Sequence, residues 1–198
     1  MFIHKNRKVG GYKFRQKTWY TAHHLGTDWS AYFEELYAPC NGKVIATPNG
    51  PEGGQWLWFE ETGTEMCKYF KADKLIHRFG HLKEIKIPAG TEVKEGDILA
   101  ITGNSGSLTN APHNHHDISI NKVVLSDIDN FIDPEVYFDI MDREQQASEW
   151  AKEAIEWNKK MGIMEDTSRP LDNITRQEQA VINQRMYDLI MQEVKKLV

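Results

Sequence analysis

From Leu36 to Ile120 the apolar residues gather in short runs separated by turn formers. Lys43-Val44-Ile45-Ala46, Gln55-Trp56-Leu57-Trp58-Phe59, Met66-Cys67-Lys68-Tyr69-Phe70, Leu75-Ile76-His77-Arg78-Phe79 and Asp97-Ile98-Leu99-Ala100-Ile101 are the clearest. Pro48-Asn49-Gly50-Pro51, Gly53-Gly54, Glu61-Thr62-Gly63 and Pro88-Ala89-Gly90 interrupt them. Runs this short, bounded by glycine and proline, read as strands joined by tight turns. Many short strands at even spacing predict a mainly β domain, an antiparallel sheet arranged as a sandwich or open barrel.

After Pro134 the period changes. Trp150, Ala154, Trp157 and Met161 fall on one helical face, with Gly162 as a C-terminal stop. Thr175-x-x-Glu178 is a capping box opening a second helix, whose apolar face is Val181, Ile182, Met186, Leu189, Ile190 and Val194. The turn-rich stretch from Ile163 to Pro170 connects them. Two such helices cannot bury their faces alone, so they pack together, on the β domain or in an oligomer. The expected organisation is a β domain over residues 1–140 and a small helical region over 141–198.

Composition adds limits. The 198 residues allow one ordinary domain with an appendage. No apolar run approaches the roughly 18 residues of a membrane-spanning helix. The start, Met1 to Lys8, has the charges of a signal peptide without a following apolar segment. The expectation is a protein made in the cytoplasm that leaves by another route. A net charge of −5 argues on electrostatic grounds against nucleic acid as a partner. The first twenty residues run against that balance, with Lys5, Arg7, Lys8, Lys13, Arg15 and Lys17 and no acid. They read as a solvated arm or edge strand before they read as a patch for anionic wall polymers or membrane. Cys40 and Cys67 have no metal-ligand spacing and are expected as free, buried thiols.

The chemistry concentrates in Ala111-Pro112-His113-Asn114-His115-His116-Asp117, which follows the glycine-rich turn Thr102 to Gly106 and opens a predicted strand. On a strand, His113 and His115 share one face and His116 takes the other. Two imidazoles on one surface suit a metal site where one is a ligand and the other works on the substrate. Upstream, His24-x-Gly26-x-Asp28 offers a nitrogen and a carboxylate from one short segment. With His115 these make a His-Asp-His set with a fourth tetrahedral position left for water, as catalytic zinc requires. His4, His23, His77 and His116 are expected as surface or satisfied core residues, although His23 stands next to His24 and a slip of one residue would exchange them.

His24-x-Gly26-x-Asp28, Phe79-Gly80-His81-Leu82 and Pro112-His113-x-His115 resemble, in this order, the signatures of the lysostaphin-type (M23, LytM-like) zinc metallopeptidases. Ala38-Pro39-x-x-Gly42-x-Val44, Val93-x-x-Gly96-Asp97, Thr102-Gly103-x-Ser105-Gly106 and Ile132-Asp133-Pro134 resemble the flanking landmarks. The resemblance covers roughly residues 10 to 140 and implies a zinc ion (Zn2+) on His24, Asp28 and His115, with His81 and His113 as catalytic histidines. It implies an endopeptidase acting on the stem or cross-bridge peptides of peptidoglycan. One departure stands out: the family's aromatic and Glu after the last ligand are here His116 and Asp117.

The tail resembles a single S-layer-homology-like repeat through Trp150-Ala151-x-x-Ala154-Ile155, Gly162-Ile163 and Ile174-Thr175-Arg176-x-Glu178. That resemblance implies cell-wall polysaccharide as a partner, beside packing or dimerisation. Enzyme plus tail is the layout of a phage endolysin, released to the wall by a permeabilising partner or carried on a virion. A non-catalytic wall-binding or hydrolase-activating protein of the same fold is the alternative function. Biotinyl and lipoyl carrier modules share the Gly42-x-Val44 and Val93-x-x-Gly96-Asp97 pattern, but they present a lysine at a hairpin tip, and none stands there.

Overall fold

A computed structural model describes residues 2–5, 7–142, 188 and 191. The chain divides into two compact units, Met1–Met141 and Asp142–Val198. Both helices expected in the tail lie outside the described residues, apart from Asp188 and Met191.

In the first unit the strands are β1 (Thr27–Trp29), β2 (Glu35–Tyr37), β3 (Gly42–Ala46), β4 (Asn49–Gly50), β5 (Gly54–Thr62), β6 (Lys74–Leu82), β7 (Glu84–Ile85), β8 (Glu92–Val93), β9 (Ile98–Ile101), β10 (Asn114–Ile120) and β11 (Phe131–Ile132). The main sheet runs β1-β10-β6-β5-β3-β8, with β11 on β10 and β4 on β5; a smaller sheet runs β2-β9-β7. The named pairs are antiparallel, as the sequence predicted. Leu36, Leu99 and Ala100 of the small sheet share one core with Val44, Leu57, Phe59, Phe79, Leu82 and Ile118 of the large one. Among the described residues no helix is long and apolar enough to cross a membrane.

One predicted strand is a helix. Met66-Cys67-Lys68-Tyr69-Phe70 lies mostly within α1 (Glu65–Tyr69). Thr64 caps it by accepting the Cys67 N–H, and Glu65 in the first turn with Lys68 in the last suits the helix dipole. A five-residue apolar run carries no period of its own, so the cap decides. Cys67 is buried as expected, whereas Cys40 is half-buried; both are free.

β6 and β10 are buried on both faces, which is why their sequences mix apolar and polar residues without a solvent side. The core side of β10 carries a chain of hydrogen bonds. The Trp29 indole N–H donates to Nδ1 of His116 (3.4 Å), leaving the His116 Nε2–H to donate to Nδ1 of His77 (3.1 Å). Nε2–H of His77 in turn donates to Oε2 of Glu61 (2.9 Å), which also accepts the Tyr137 hydroxyl (2.8 Å). An indole can only donate and a carboxylate can only accept, so the direction of the chain is fixed. His4, also buried, accepts from Nδ2 of Asn114 at 3.0 Å. His77, His116 and His4 are therefore core residues with partners, and His23 is exposed.

The basic arm is docked. Residues 8–16 run beside β1 through Ser30 N–H to Lys8 O, Asp28 N–H to Tyr12 O and His24 N–H to Gln16 O. Arg7 pairs with Asp139, Lys13 with Glu135 and Arg15 with Asp129. Half of the arm's six cations are thus engaged within the unit itself.

Candidate metal centre

β1 and β10 lie side by side with Asp28 directly opposite His115. Gly26 allows this approach, because a Cβ there would sit 2.1 Å from the carbonyl oxygen of His116. His24, just before β1, reaches the same place: its Nε2 lies 3.2 Å from Oδ1 of Asp28, while Nδ1 of His115 lies 3.1 Å from the same oxygen. Each of His24, Asp28 and His115 offers one ligand atom, and these atoms fall within 4.8 Å of one another. His113 brings its Nε2 to 3.6 Å from Asp28 Oδ1.

His81 joins them through a β-bulge. Leu57 faces Phe79 across β5 and β6 but Gln55 faces Leu82, so β6 holds one extra residue between the two pairs. His81 sits at φ +60°. Strict alternation would send His81 to the core side with Phe79; the left-handed residue turns it to the cleft side and returns Leu82 to the core. Its ring centroid lies 4.8 Å from that of His113 and 6.3 Å from that of His115.

Hydrogen bonds set the tautomers. His81 Nδ1–H donates to the Ser105 carbonyl (2.9 Å) and His113 Nδ1–H to the Ala111 carbonyl (2.9 Å), so each turns an Nε2 lone pair to the cleft. His24 Nδ1–H donates to the Lys13 carbonyl (3.3 Å), again leaving Nε2 as the acceptor. His115 is placed differently: Nε2 faces Oδ2 of Asp117 and Nδ1 faces Oδ1 of Asp28, both at 3.1 Å. Carbonyls and carboxylates only accept, so His81, His113 and His24 carry a proton on Nδ1, while His115 turns one nitrogen to each of two carboxylates.

Burial works to raise the Asp28 carboxyl, but the adjoining His115 and His24 imidazoles outweigh it and hold the group well below the usual carboxylate range. Burial opposes a charge on His115, yet bonds to Asp117 and Asp28 push its imidazole up to about 9. His81 goes the other way; burial lowers it to about 4 despite the Ser105 carbonyl, so it is neutral at pH 7. His24 Nε2 is buried and completes no hydrogen bond, although Asp28 Oδ1 is near. An orphaned nitrogen beside a carboxylate oxygen is a place for a cation.

Several contributors were not legible as site residues. Tyr12 N–H donates to Oδ2 of Asp28 (3.1 Å), and Gly11 lets the arm lie against that carboxylate, since a Cβ there would meet Asp28 Cβ and Oδ2 at 2.9 Å. Trp56 packs over Gly80 and sets its ring 5.4 Å from that of His115. On one side the cleft is lined by Tyr20, Leu25, Trp56, Leu108 and Leu125; on the other, Gly10 to Tyr12 face the loop from Ser107 to His113. Alternation would have put Asp117 on the His115 face, but nothing in sequence pairs a backbone N–H of the arm with Asp28.

The comparisons agree with this geometry. Over 100 residues the chain is 28% identical to the peptidoglycan DD-endopeptidase ShyA of Vibrio cholerae, and over 98 residues it is 30% identical to ShyB of the same organism. Those stretches are about half of this chain and about a fifth of each relative. The catalytic domain of lysostaphin from Staphylococcus simulans superposes with TM-score 0.53 at 19% identity, covering 66% of this chain and 91% of that one. LytU superposes with the same score at 24% identity, covering 68% and 86%. Such identities speak to fold alone. The sequence profile of peptidase family M23 matches residues 22–126, which span β1 to β10 and all five clustered site residues, and the chain belongs to that family.

Proposed function

We propose that the chain is a zinc-dependent endopeptidase that hydrolyses a peptide bond in the stem or cross-bridge peptides of peptidoglycan. The observation that carries this reading is the convergence of three histidine nitrogens on one carboxylate oxygen, Asp28 Oδ1, at 3.1, 3.2 and 3.6 Å. His24 Nε2, Asp28 Oδ1 and His115 Nδ1 would hold the metal. Two imidazole nitrogens and a carboxylate oxygen are a donor set zinc favours, and the two nitrogens lie 3.2 and 3.1 Å from the carboxylate oxygen. The chemistry zinc supplies there when bound is Lewis acidity, which polarises a carbonyl and lowers the pKa of an attacking water.

The chain's own residues do the rest. His81 is held neutral by burial, with Nδ1–H tied to Ser105, so its Nε2 accepts a proton from the attacking water. His113 is tied the same way with its ring 4.8 Å from that of His81, so that its Nε2 binds the second water proton or the leaving amine. Between them they take the proton and return it to the amine nitrogen. An extended peptide fits the open cleft between the Tyr12–Tyr20 side and the loop from Ser107 to His113. The peptidoglycan substrate is supported by what the relatives are named for, and a lytic role at the bacterial wall, as in a phage lysin, by the peptidase-plus-tail layout of the sequence.

The test is release of free amino groups from purified sacculi. Activity should disappear with a chelator and return with stoichiometric zinc. Release that persists after the metal has been removed would refute the zinc reading, and no release from several wall types at full zinc loading would refute the endopeptidase.

A further inference from the structure

Behind His115 lies a carboxylate that no motif assigns. Asp117 stands directly opposite Arg78 on β6, and the two form a two-pronged pair: Arg78 Nε–H donates to Oδ1 and Nη2–H to Oδ2, both at 2.7 Å. Oδ2 also takes the Nε2 side of His115 at 3.1 Å. Asp117 is fully buried and Arg78 nearly so. The guanidinium is walled by Trp56, Trp58 and Phe131, with ring centres 5.4, 5.5 and 5.7 Å from its central carbon.

We propose that Asp117, locked by Arg78, is the positioning group that commits Nε2 of His115 and so presents Nδ1 to the metal. This rests on the zinc reading above. The geometry leaves His115 little choice. With Nε2–H held by Asp117, Nδ1 is the nitrogen that faces Asp28; a half-turn of the ring would take Nε2–H away from Asp117 and leave that carboxylate short of a donor. Arg78 does the same for Asp117, because two parallel bonds fix the plane of the carboxylate where one would let it rotate. A buried ion pair is weak as a source of stability, and apolar residues of like size often serve as well. Its use here is to orient a ligand, as carboxylates behind ligating histidines do.

The experiment compares wild type with Asp117→Asn and with the double variant Arg78→Met/Asp117→Leu, which removes both charges together and keeps the fold if the single change does not. Zinc affinity, read by competition with a chelator, should weaken roughly 10–100-fold in each. The thermal midpoint of the metal-free double variant should stay near wild type, which separates positioning from general loss of structure. A folded variant with zinc affinity within about twofold of wild type would overturn the proposal. A second reading needs no metal: in histidine-labelled, metal-free protein the His115 Nε2–H proton should exchange slowly with water in wild type and rapidly in the double variant. Equal exchange in the two overturns the clamp. Wild type that binds no zinc, with the exchange difference present, leaves the clamp standing and sinks the metal reading instead.

Discussion

Replacing His81 by glycine should leave the protein more stable than replacing it by alanine. In a strand the usual order is the reverse, because glycine loses more backbone freedom on folding, by roughly 0.5–1 kcal/mol. At φ +60°, however, any residue with a Cβ is set against the following carbonyl, at a cost of roughly 1–2 kcal/mol that alanine retains and glycine sheds. Both substitutions lose the bond to the Ser105 carbonyl, so that loss cancels. The difference is about 0.5–1 kcal/mol in favour of glycine. With a urea slope near 2 kcal/mol/M, the unfolding midpoint of His81→Gly should lie about 0.3–0.5 M above that of His81→Ala. Tryptophan fluorescence reads the transition, and both variants should be equally without peptidase activity. If alanine is as stable as glycine or more so, the bulge does not hold His81 in a left-handed backbone and the explanation of how it reaches the cleft fails.

His4 makes stability depend on pH. Burial lowers its imidazole from 6.5 to about 4. The unfolded chain therefore binds the proton more readily; the full contribution is present above pH 6.5 and is lost as pH falls from 6.5 to 4. About 2 kcal/mol should go between pH 7 and pH 5, and the difference between wild type and His4→Gln in urea unfolding should shrink by that amount. Glu61→Ala should cost about 3–5 kcal/mol, because it strips His77, Tyr137 and Thr64 of their common buried acceptor; thermal unfolding measures it. Gly11→Ala should weaken zinc binding by pressing on Asp28, whereas Gly63→Ala, at φ +69° with nothing within 4 Å, should lower stability and leave zinc affinity unchanged. Chelator competition on the two variants checks both halves.

The strands at Gly42–Ala46, Gly54–Thr62, Lys74–Leu82 and Ile98–Ile101 were legible because each apolar run ends at a turn former, and turn chemistry is local. The run at Met66 was misread because five residues fit either period and the cap at Thr64 outweighs them. Short motifs located His24, Asp28, His81, His113 and His115, and the structure gathers all five at one cleft. What they rest on was hidden, since it depends on register between strands far apart in sequence. Arg78 meets Asp117 and Trp29 meets His116 only once β6, β10 and β1 are aligned. The arm was ambiguous for a related reason: its cations find partners at Asp129, Glu135 and Asp139, more than a hundred residues away.

The central claim is that these histidines serve hydrolysis of a wall peptide, and mass spectrometry of the soluble fragments from purified sacculi tests it most directly. Wild type, zinc-loaded, should release fragments bearing new amino termini within the peptide portion, and His113→Ala at equal zinc content should release few or none. Intact glycan and peptides after wild-type treatment, with the protein pelleting alongside the sacculi, would contradict the account and favour a binding protein. Equal release by His113→Ala would show that the chemistry lies elsewhere.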